Sequence, residues 1–388
     1  MCCRKKSLFS LVLIMTLLTL LLSGCSKREI TQIDIIKQDH DFDLTPCRRA
    51  DGEPFRIGFM DLGPPIESSY LCLKGFAEGM QSIGYIDSSV NLQKAPEDFF
   101  EFYDFLINSD LGDYIEFEPE PYMIDVEGNE EIGKLIKEKA ESGELDVIVA
   151  TGTDPGLFLK SLDLPIPFLV CLATDPVASG IIRSAEDTGD EDIWALVEPN
   201  PYGRQFEGYQ SMLDIKKICF VFIDEYDLIA GNSEYRKKAE ELNVDYDEIT
   251  FSEEETYAPD FDDKLLQALK DHDMSGCDAV LFAYGTMNDE NAPEISKYLA
   301  SIGVPSLISD GDSISKNGGM MCLSCFDYES YGEYASMVVS NIFHGKKAGD
   351  QPCTFNSSPH IVMNLSCAEE TGFDITFSLL NSVDRLYR

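Results

Sequence analysis

The stretch Val147-Ile148-Val149-Ala150-Thr151-Gly152-Thr153-Asp154-Pro155-Gly156 decides the fold class of this chain. Four apolar residues at its start, two of them valine and one isoleucine, suit a buried strand. The small and polar residues that follow make a turn. Pro155 then opens a helix, because its fixed φ and missing N–H suit a first helical turn. A strand that feeds a helix through a loop of small residues is half of a βαβ unit, and the free amides at the helix start can receive an anionic group. Asp154 reads either as the cap of that helix or as a ligand contact.

The same rhythm continues on both sides. Strands are expected at Arg56–Met60, Phe168–Ala173, Ile218–Ile223, Ala279–Ala283 and Ser306–Ser309, alongside Val147–Ala150. Amphipathic helices are expected at Tyr70–Ile83, Ile132–Ser142, Asn291–Ile302 and Tyr331–His344, and each closes on a glycine: Gly84, Gly143, Gly303 and Gly345. The alternation predicts an α/β chain with doubly wound parallel sheets. Residues 87–130, acidic and rich in aromatics such as Phe99, Phe100, Phe102, Tyr103 and Phe105, fit the rhythm less well and read as an insertion carrying its own helix, with a ligand lid as the sharper option.

The N-terminus addresses the chain to the outside. Arg4, Lys5 and Lys6 precede an apolar run from Leu8 to Leu22, too short to span a bilayer, which is the pattern of a secretory signal over residues 1–24. Its end, Leu22-Ser23-Gly24-Cys25, resembles the lipobox at which bacterial lipoproteins are cleaved and acylated, so Cys25 is the expected lipidation site. Residues 25–54 are polar and weakly periodic and read as the tether. About 330 residues remain, more than one hydrophobic core accommodates, so two domains are expected.

The formal charge is −40, and removing residues 1–24, which hold three cations and no acid, leaves −43. Such a chain repels nucleic acid and anionic lipid. Of the twelve cysteines, nine lie beyond Cys25. An odd number cannot all pair internally, and several sit in apolar runs where cysteine acts as a small hydrophobe. Cys322 and Cys325 form a CxxC without a second CxxC or a suitably placed histidine, so no metal is expected. No cofactor is implied by any motif. G-x-S-x-G, Walker A and His-Glu-x-x-His patterns do not occur, and Gly311-Asp312-Ser313 lacks an evident partner base among His40, His272, His344 and His360. The chain reads as a non-enzyme.

In open α/β sheets ligands sit beyond the carboxyl ends of the strands. The candidate ligand-binding residues are therefore Asp61, Gly63, Pro64 and Glu67 after the first strand, then Gly152, Thr153 and Asp154, then Thr174 and Asp175. In the second half they are Asp224, Tyr226, Tyr284, Thr286 and Asp310, with Asp327 beside the expected hinge. Turn chemistry alone also places Asp, Gly and Pro at such positions.

The segments VIVATGTDPG, LATDPVASGII, DIKKICFVF, CDAVLFAYGTMND, FDYESYGEYASMVVSNIFHGKKAGDQP and IVMNLSCAEETGF resemble, in order, the ABC transporter substrate-binding lipoproteins of the tryptophan/tyrosine type. The resemblance implies a type I periplasmic-binding fold, two lobes joined by three crossovers and closing on a small solute. It divides the chain into a first lobe of residues 55–194 and 327–345 and a second of 195–326 and 346–388, with the hinge near Leu196–Asn200 and Phe326. It implies a permease and an ATPase as partners, an anchor on the extracytoplasmic face of the bacterial membrane, and capture of a solute such as an amino acid. A ligand-sensing lipoprotein coupled to a membrane signalling partner needs the same parts. Two departures bear on the solute: Asp154 replaces a small apolar residue, and Leu62-Gly63-Pro64-Pro65-Ile66-Glu67 replaces a His-Pro pattern. A carboxylate-lined entrance favours a ligand with an amine or cationic end.

Overall fold

The computed structural model describes residues 40–125, 129–309 and 311–388. The expected signal segment and Cys25 lie outside the described residues. Strand β1 (Phe55–Leu62) leads through helix α1 (Glu67–Ser82) and α2 (Phe99–Asn108) to the short strands β2 (Ile115–Phe117) and β3 (Tyr122–Ile124). Helix α3 (Glu130–Ser142), β4 (Val147–Thr151), α4 (Thr153–Leu162), β5 (Phe168–Cys171) and β6 (Ile193–Ala195) complete the first run.

These strands form one parallel sheet in the order β2-β1-β4-β5-β6, with β3 pairing on the same edge of β1 further along. β4 is buried throughout, as its run of apolar residues requires when helices cover both faces. Gly143 ends α3 with φ 72°, the left-handed conformation that glycine adopts without steric cost.

The chain then crosses to a second lobe: α5 (Pro201–Leu213), β7 (Lys217–Ile223), α6 (Asp227–Ala230), α7 (Asn232–Leu242), β8 (Asp245–Phe251), α8 (Glu253–Thr256), α9 (Phe261–Asp271), β9 (Ala279–Phe282), α10 (Ala292–Ser301), β10 (Ser306–Ile308), α11 (Asp312–Lys316) and β11 (Met321–Ser324). It returns as α12 (Tyr328–Phe343), which packs on α1, and crosses a third time to β12 (His360–Asn364), α13 (Leu365–Thr371), α14 (Phe377–Ser382) and β13 (Arg385–Tyr387). The second sheet runs β13-β12-β11-β10-β9-β7-β8, parallel except for the β11–β12 pair. The α/β class and the two lobes are as expected, and all six expected strands form.

Three boundaries differ from expectation. Residues 87–130 are no insertion: Phe99, Phe102, Tyr103, Ile115 and Phe117 are buried in the first lobe's core, and β2 and β3 are sheet strands too short to show a periodicity. The aromatic cluster is core, which removes the lid option. Residues after 345 do not pass straight to the second lobe, because Ala348, Cys353 and Phe355 pack in the first core beside Trp194, whose indole donates to Pro352 O at 2.9 Å. The tether is docked from its described end onward. Asp43 N donates to Asn341 Oδ1 at 2.8 Å, Ser340 Oγ donates to Asp43 O at 2.6 Å, and Phe42 packs edge-on against Tyr334.

The nine described cysteines are free thiols, eight of them buried. Cys322 and Cys325 pack into different core clusters and do not form a joint ligand pair. Among the described residues no helix is long and apolar enough to cross a membrane.

Candidate ligand-binding cleft

The candidate site comprises the loops that leave the carboxyl ends of the strands in both lobes. In the first lobe, Asp61 ends β1 in register with Thr151 of β4. It is 5% exposed; Oδ1 accepts from Leu62 N at 2.6 Å, and Oδ2 has no hydrogen-bond partner. Burial holds its carboxyl above the usual range, against the opposing pull of the Ser69 and Thr151 hydroxyls and the Leu62 amide. Gly63 N donates to Ile124 O at 3.0 Å, which ties this loop to β3, and Pro64 and Glu67 stand exposed at the rim. Thr153 Oγ1 accepts from Thr174 N at 3.3 Å, so the loops after β4 and β5 are neighbours.

In the second lobe, Asp224 is exposed and Tyr226 is half-buried. The Tyr226 and Tyr257 hydroxyls both donate to Glu253 Oε1, at 3.4 and 3.2 Å. A Cβ on Gly285 would stand 3.2 Å from Tyr226 Cε2, so the turn that carries Tyr284 lies against that ring. Tyr284 is 50% exposed and Tyr257 74%. The two lobes face one another here: Glu234 is held above the usual carboxylate range chiefly by burial, and the charge of Asp175 from the first lobe adds to it.

Several expected contacts have other tasks. Thr286 is fully buried and donates to Ala283 O at 2.7 Å, a clamp within its turn. Asp327 accepts from Ser330 N at 3.0 Å and Ser330 Oγ at 2.6 Å, which caps α12 with both carboxylate oxygens. Asp175 Oδ1 accepts from Val177 N and Ala178 N at 2.9 and 2.8 Å, stabilising its own turn. Asp154 does not cap α4: the cap position is Gly152, φ 105°, with Asp154 exposed in the first turn. Asp310 lies outside the described residues.

The hinge contains residues that sequence reading passed over. Glu198 of the first crossover accepts from Ser357 N at 3.1 Å and from Ser357 Oγ at 2.6 Å in the third crossover, and from Tyr331 Oη at 2.9 Å on α12. It also pairs with Arg204 of α5, whose Nη1 donates to Ser357 O at 3.1 Å. Val197 and Thr354 form a parallel bridge beside them, and Phe326 of the second crossover stacks with Tyr328 and meets Tyr202 edge-on. One buried carboxylate thus joins two crossovers and both lobes.

Residues 122–386 match the family described as ABC transporter substrate binding protein. The chain belongs to that family. Members of the ABC transporter substrate-binding protein family are extracytoplasmic binders of small molecules and not enzymes. The tyrosine-binding protein of Clostridioides difficile (strain R20291) is 23% identical over 231 residues, a match that spans 59% of this chain and 64% of that protein. Among solved structures, an ABC domain in complex with L-Trp from Streptococcus pneumonia superposes with a TM-score of 0.56 at 17% identity, covering 86% of this chain and all of that one. A ligand-free, open substrate-binding protein with adhesive properties from Clostridium difficile superposes with a TM-score of 0.62 at 15% identity, covering 86% and 99%. These likenesses show the type I periplasmic-binding fold.

The geometry of Asp61 makes a prediction about stability. Its raised pKa means that the folded chain holds this proton more tightly than the unfolded chain, so stability falls as pH rises from the ordinary carboxylate value through the raised one. Burial penalises the ionised carboxylate more than a neutral amide, so Asp61→Asn is expected to raise the ligand-free melting midpoint at neutral pH by about 5 °C. Melts between about pH 4 and 8 check it, since the variant should lack part of the wild-type decline with pH. A lower midpoint for the variant would contradict an unpaired Asp61.

Proposed function

We propose that this chain is the solute-capture component of an ABC importer, held by an acylated Cys25 on the extracytoplasmic face of the bacterial membrane and working with a permease and an ATPase. The observation that supports capture best is the hinge: three crossovers join two lobes whose strand ends face each other, and Glu198 pins the pivot. Two lobes joined in this way open and close by small changes at few residues. A solute that contacts both lobes shifts the population toward the closed form in proportion to its differential affinity, and no covalent step is needed. Tyr226, Tyr257 and Tyr284 offer the second lobe's surface to the solute's body. Asp61, Glu67 and Asp154 offer charge from the first.

The test is the melting midpoint of the chain from Ser26 onward against amino acids, amines, nucleosides, sugars and short peptides. A ligand present at 100 times its Kd stabilises the fold by about 2.7 kcal/mol, which corresponds to a rise of roughly 5–10 °C. No shift with any member of the panel would sink the capture reading. Uptake of the shifting solute into vesicles that carry the permease and ATPase separates import from sensing, because a sensor would bind the solute and support no uptake.

A further inference from the structure

The charge of the cleft loops is one-sided. The loops at the strand ends and the hinge stretches of the three crossovers, residues 61–67, 151–155, 172–180, 196–200, 223–232, 252–258, 283–291, 309–313, 324–330 and 353–358, hold no lysine, arginine or histidine, and every charged residue on them is acidic. Cations from neighbouring elements are already engaged: Arg204 with Glu198, Lys74 with Glu329 at 2.5 Å, and His360 between Asp312 and Asp384 at 3.3 and 3.4 Å.

Helix amides are the other means of holding a carboxylate, and at α5 and α12 the chain has filled them itself, while the uncapped starts of α1 and α4 each carry an acid, Glu67 and Asp154, in the first turn. Glu234 Oε2 accepts from Tyr202 N and Gly203 N at the start of α5, both at 3.1 Å, and Pro201 lacks an N–H. Asp327 occupies the start of α12, and Asp175 takes the amides of Val177 and Ala178. At α4, the helix that its sequence marks for a carboxylate, Pro155 removes one donor and Asp154 sets a negative charge beside the rest.

An acceptor, by contrast, is free. Asp61 Oδ2 is buried at the cleft end of β1 and makes no hydrogen bond; the nearby Ser69 and Thr151 hydroxyls favour its charge but do not outweigh burial, so a donor from the solute would complete it. The exposed rings of Tyr257 and Tyr284 and the shared Glu253 complete a setting in which a cation is attracted to both faces and charges.

We infer that the solute of this cleft is an organic amine without a carboxylate, and that its ammonium donates to Asp61 Oδ2. The inference rests on the capture reading and narrows it: an amino acid would bring an anionic group into loops that offer it several acids and no cation.

Four matched pairs test it, each differing by one carboxylate: tryptamine and L-tryptophan, tyramine and L-tyrosine, agmatine and L-arginine, cadaverine and L-lysine. Titration calorimetry on the chain from Ser26, which keeps every described residue, should give at least tenfold tighter binding of the amine in any pair that binds. Asp61→Asn should weaken that amine at least tenfold while melting at or above the wild-type midpoint, which separates lost recognition from lost folding. Glu67→Gln, at the exposed rim, should weaken it less. Tighter binding of the amino acids, binding by none of the eight, or an Asp61→Asn protein that binds the amine as well as wild type would each overturn the inference. If none of the eight binds while another solute of the wider panel raises the midpoint, capture stands and the amine assignment falls. If no solute does, capture itself falls.

Discussion

Gly332→Ala is expected to unfold the first lobe or leave it only marginally stable. Helices α1 and α12 come from distant parts of the chain and pack backbone to backbone: a Cβ on Gly332 would stand 2.0 Å from Cys72 O and 2.5 Å from Phe76 N, and a Cβ on Gly75 would stand 1.9 Å from Glu329 O. Gly79, one turn further, faces Ser336 Oγ at 2.3 Å. The obstructing atoms at Gly332 and Gly75 are main-chain atoms inside hydrogen-bonded helices, so no rotamer relieves them. The helices must separate, and the core under them, with Cys72, Phe76, Met337 and Val338 fully buried, would open. Overpacking a well-filled core commonly costs about 1–3 kcal/mol, and a rigid backbone clash belongs at or above the upper end. Against a folding stability of about 5–15 kcal/mol this is a large fraction. Chemical denaturation followed by near-ultraviolet dichroism checks it, with the expected loss appearing as a shifted or separate early transition. Gly345→Ala is the comparison, because its φ of 83° brings strain but nothing lies within 4 Å of an added Cβ. A Gly332→Ala protein as stable as Gly345→Ala would refute the close packing.

The sequence carried the strands that are long and apolar. Val147–Thr151 and Lys217–Ile223 are buried on both faces, and a continuous hydrophobic run is what such burial demands. It did not carry β2 and β3, because three residues give no period; it carried a helix in this region but set it in an insertion, whereas Phe99 and Phe102 of α2 fill the core and Phe105 packs at its edge. The loops at the strand ends were legible, but not the roles of the residues on them. Thr286 and Asp327 occupy positions after strands, as a ligand contact would, and only their hydrogen bonds show that a turn and a helix cap use them. Glu198 was hidden for a different reason. Its partners lie at Arg204, Tyr331 and Ser357, and no spacing in the chain announces a cluster that three crossovers bring together.

Glu198→Ala is the second change expected to have a large effect. The side chain is 7% exposed, and it accepts from Ser357 and Tyr331 while facing Arg204. Removing it leaves Arg204 with the Ser357 carbonyl and only the charge of Glu234, with which it makes no ion pair, and leaves the Ser357 amide and the Tyr331 hydroxyl, both groups on buried residues, without their carboxylate acceptor. Breaking one side of a buried ion pair costs about 3–5 kcal/mol, because the partner charge stays desolvated. Burial nevertheless holds the Glu198 carboxyl above its usual range, and that outweighs the opposing effects of Ser357, Arg204 and Tyr331. The pair therefore fixes the hinge's geometry more than it adds net stability, and two outcomes follow from that distinction. Glu198→Gln, which keeps an acceptor for Ser357 and loses the charge, should recover part of the lost midpoint. Glu198→Leu combined with Arg204→Met, which removes both charges, should recover more of it than Glu198→Leu alone. The recovered double variant should still bind a solute more weakly than wild type, since the crossovers would no longer be held in one register as the lobes close. Denaturation with each variant, together with scattering profiles with and without the solute that shifts the wild-type midpoint, measures both. A double variant that closes on the solute as wild type does would remove Glu198 from the pivot and leave it a role in packing alone.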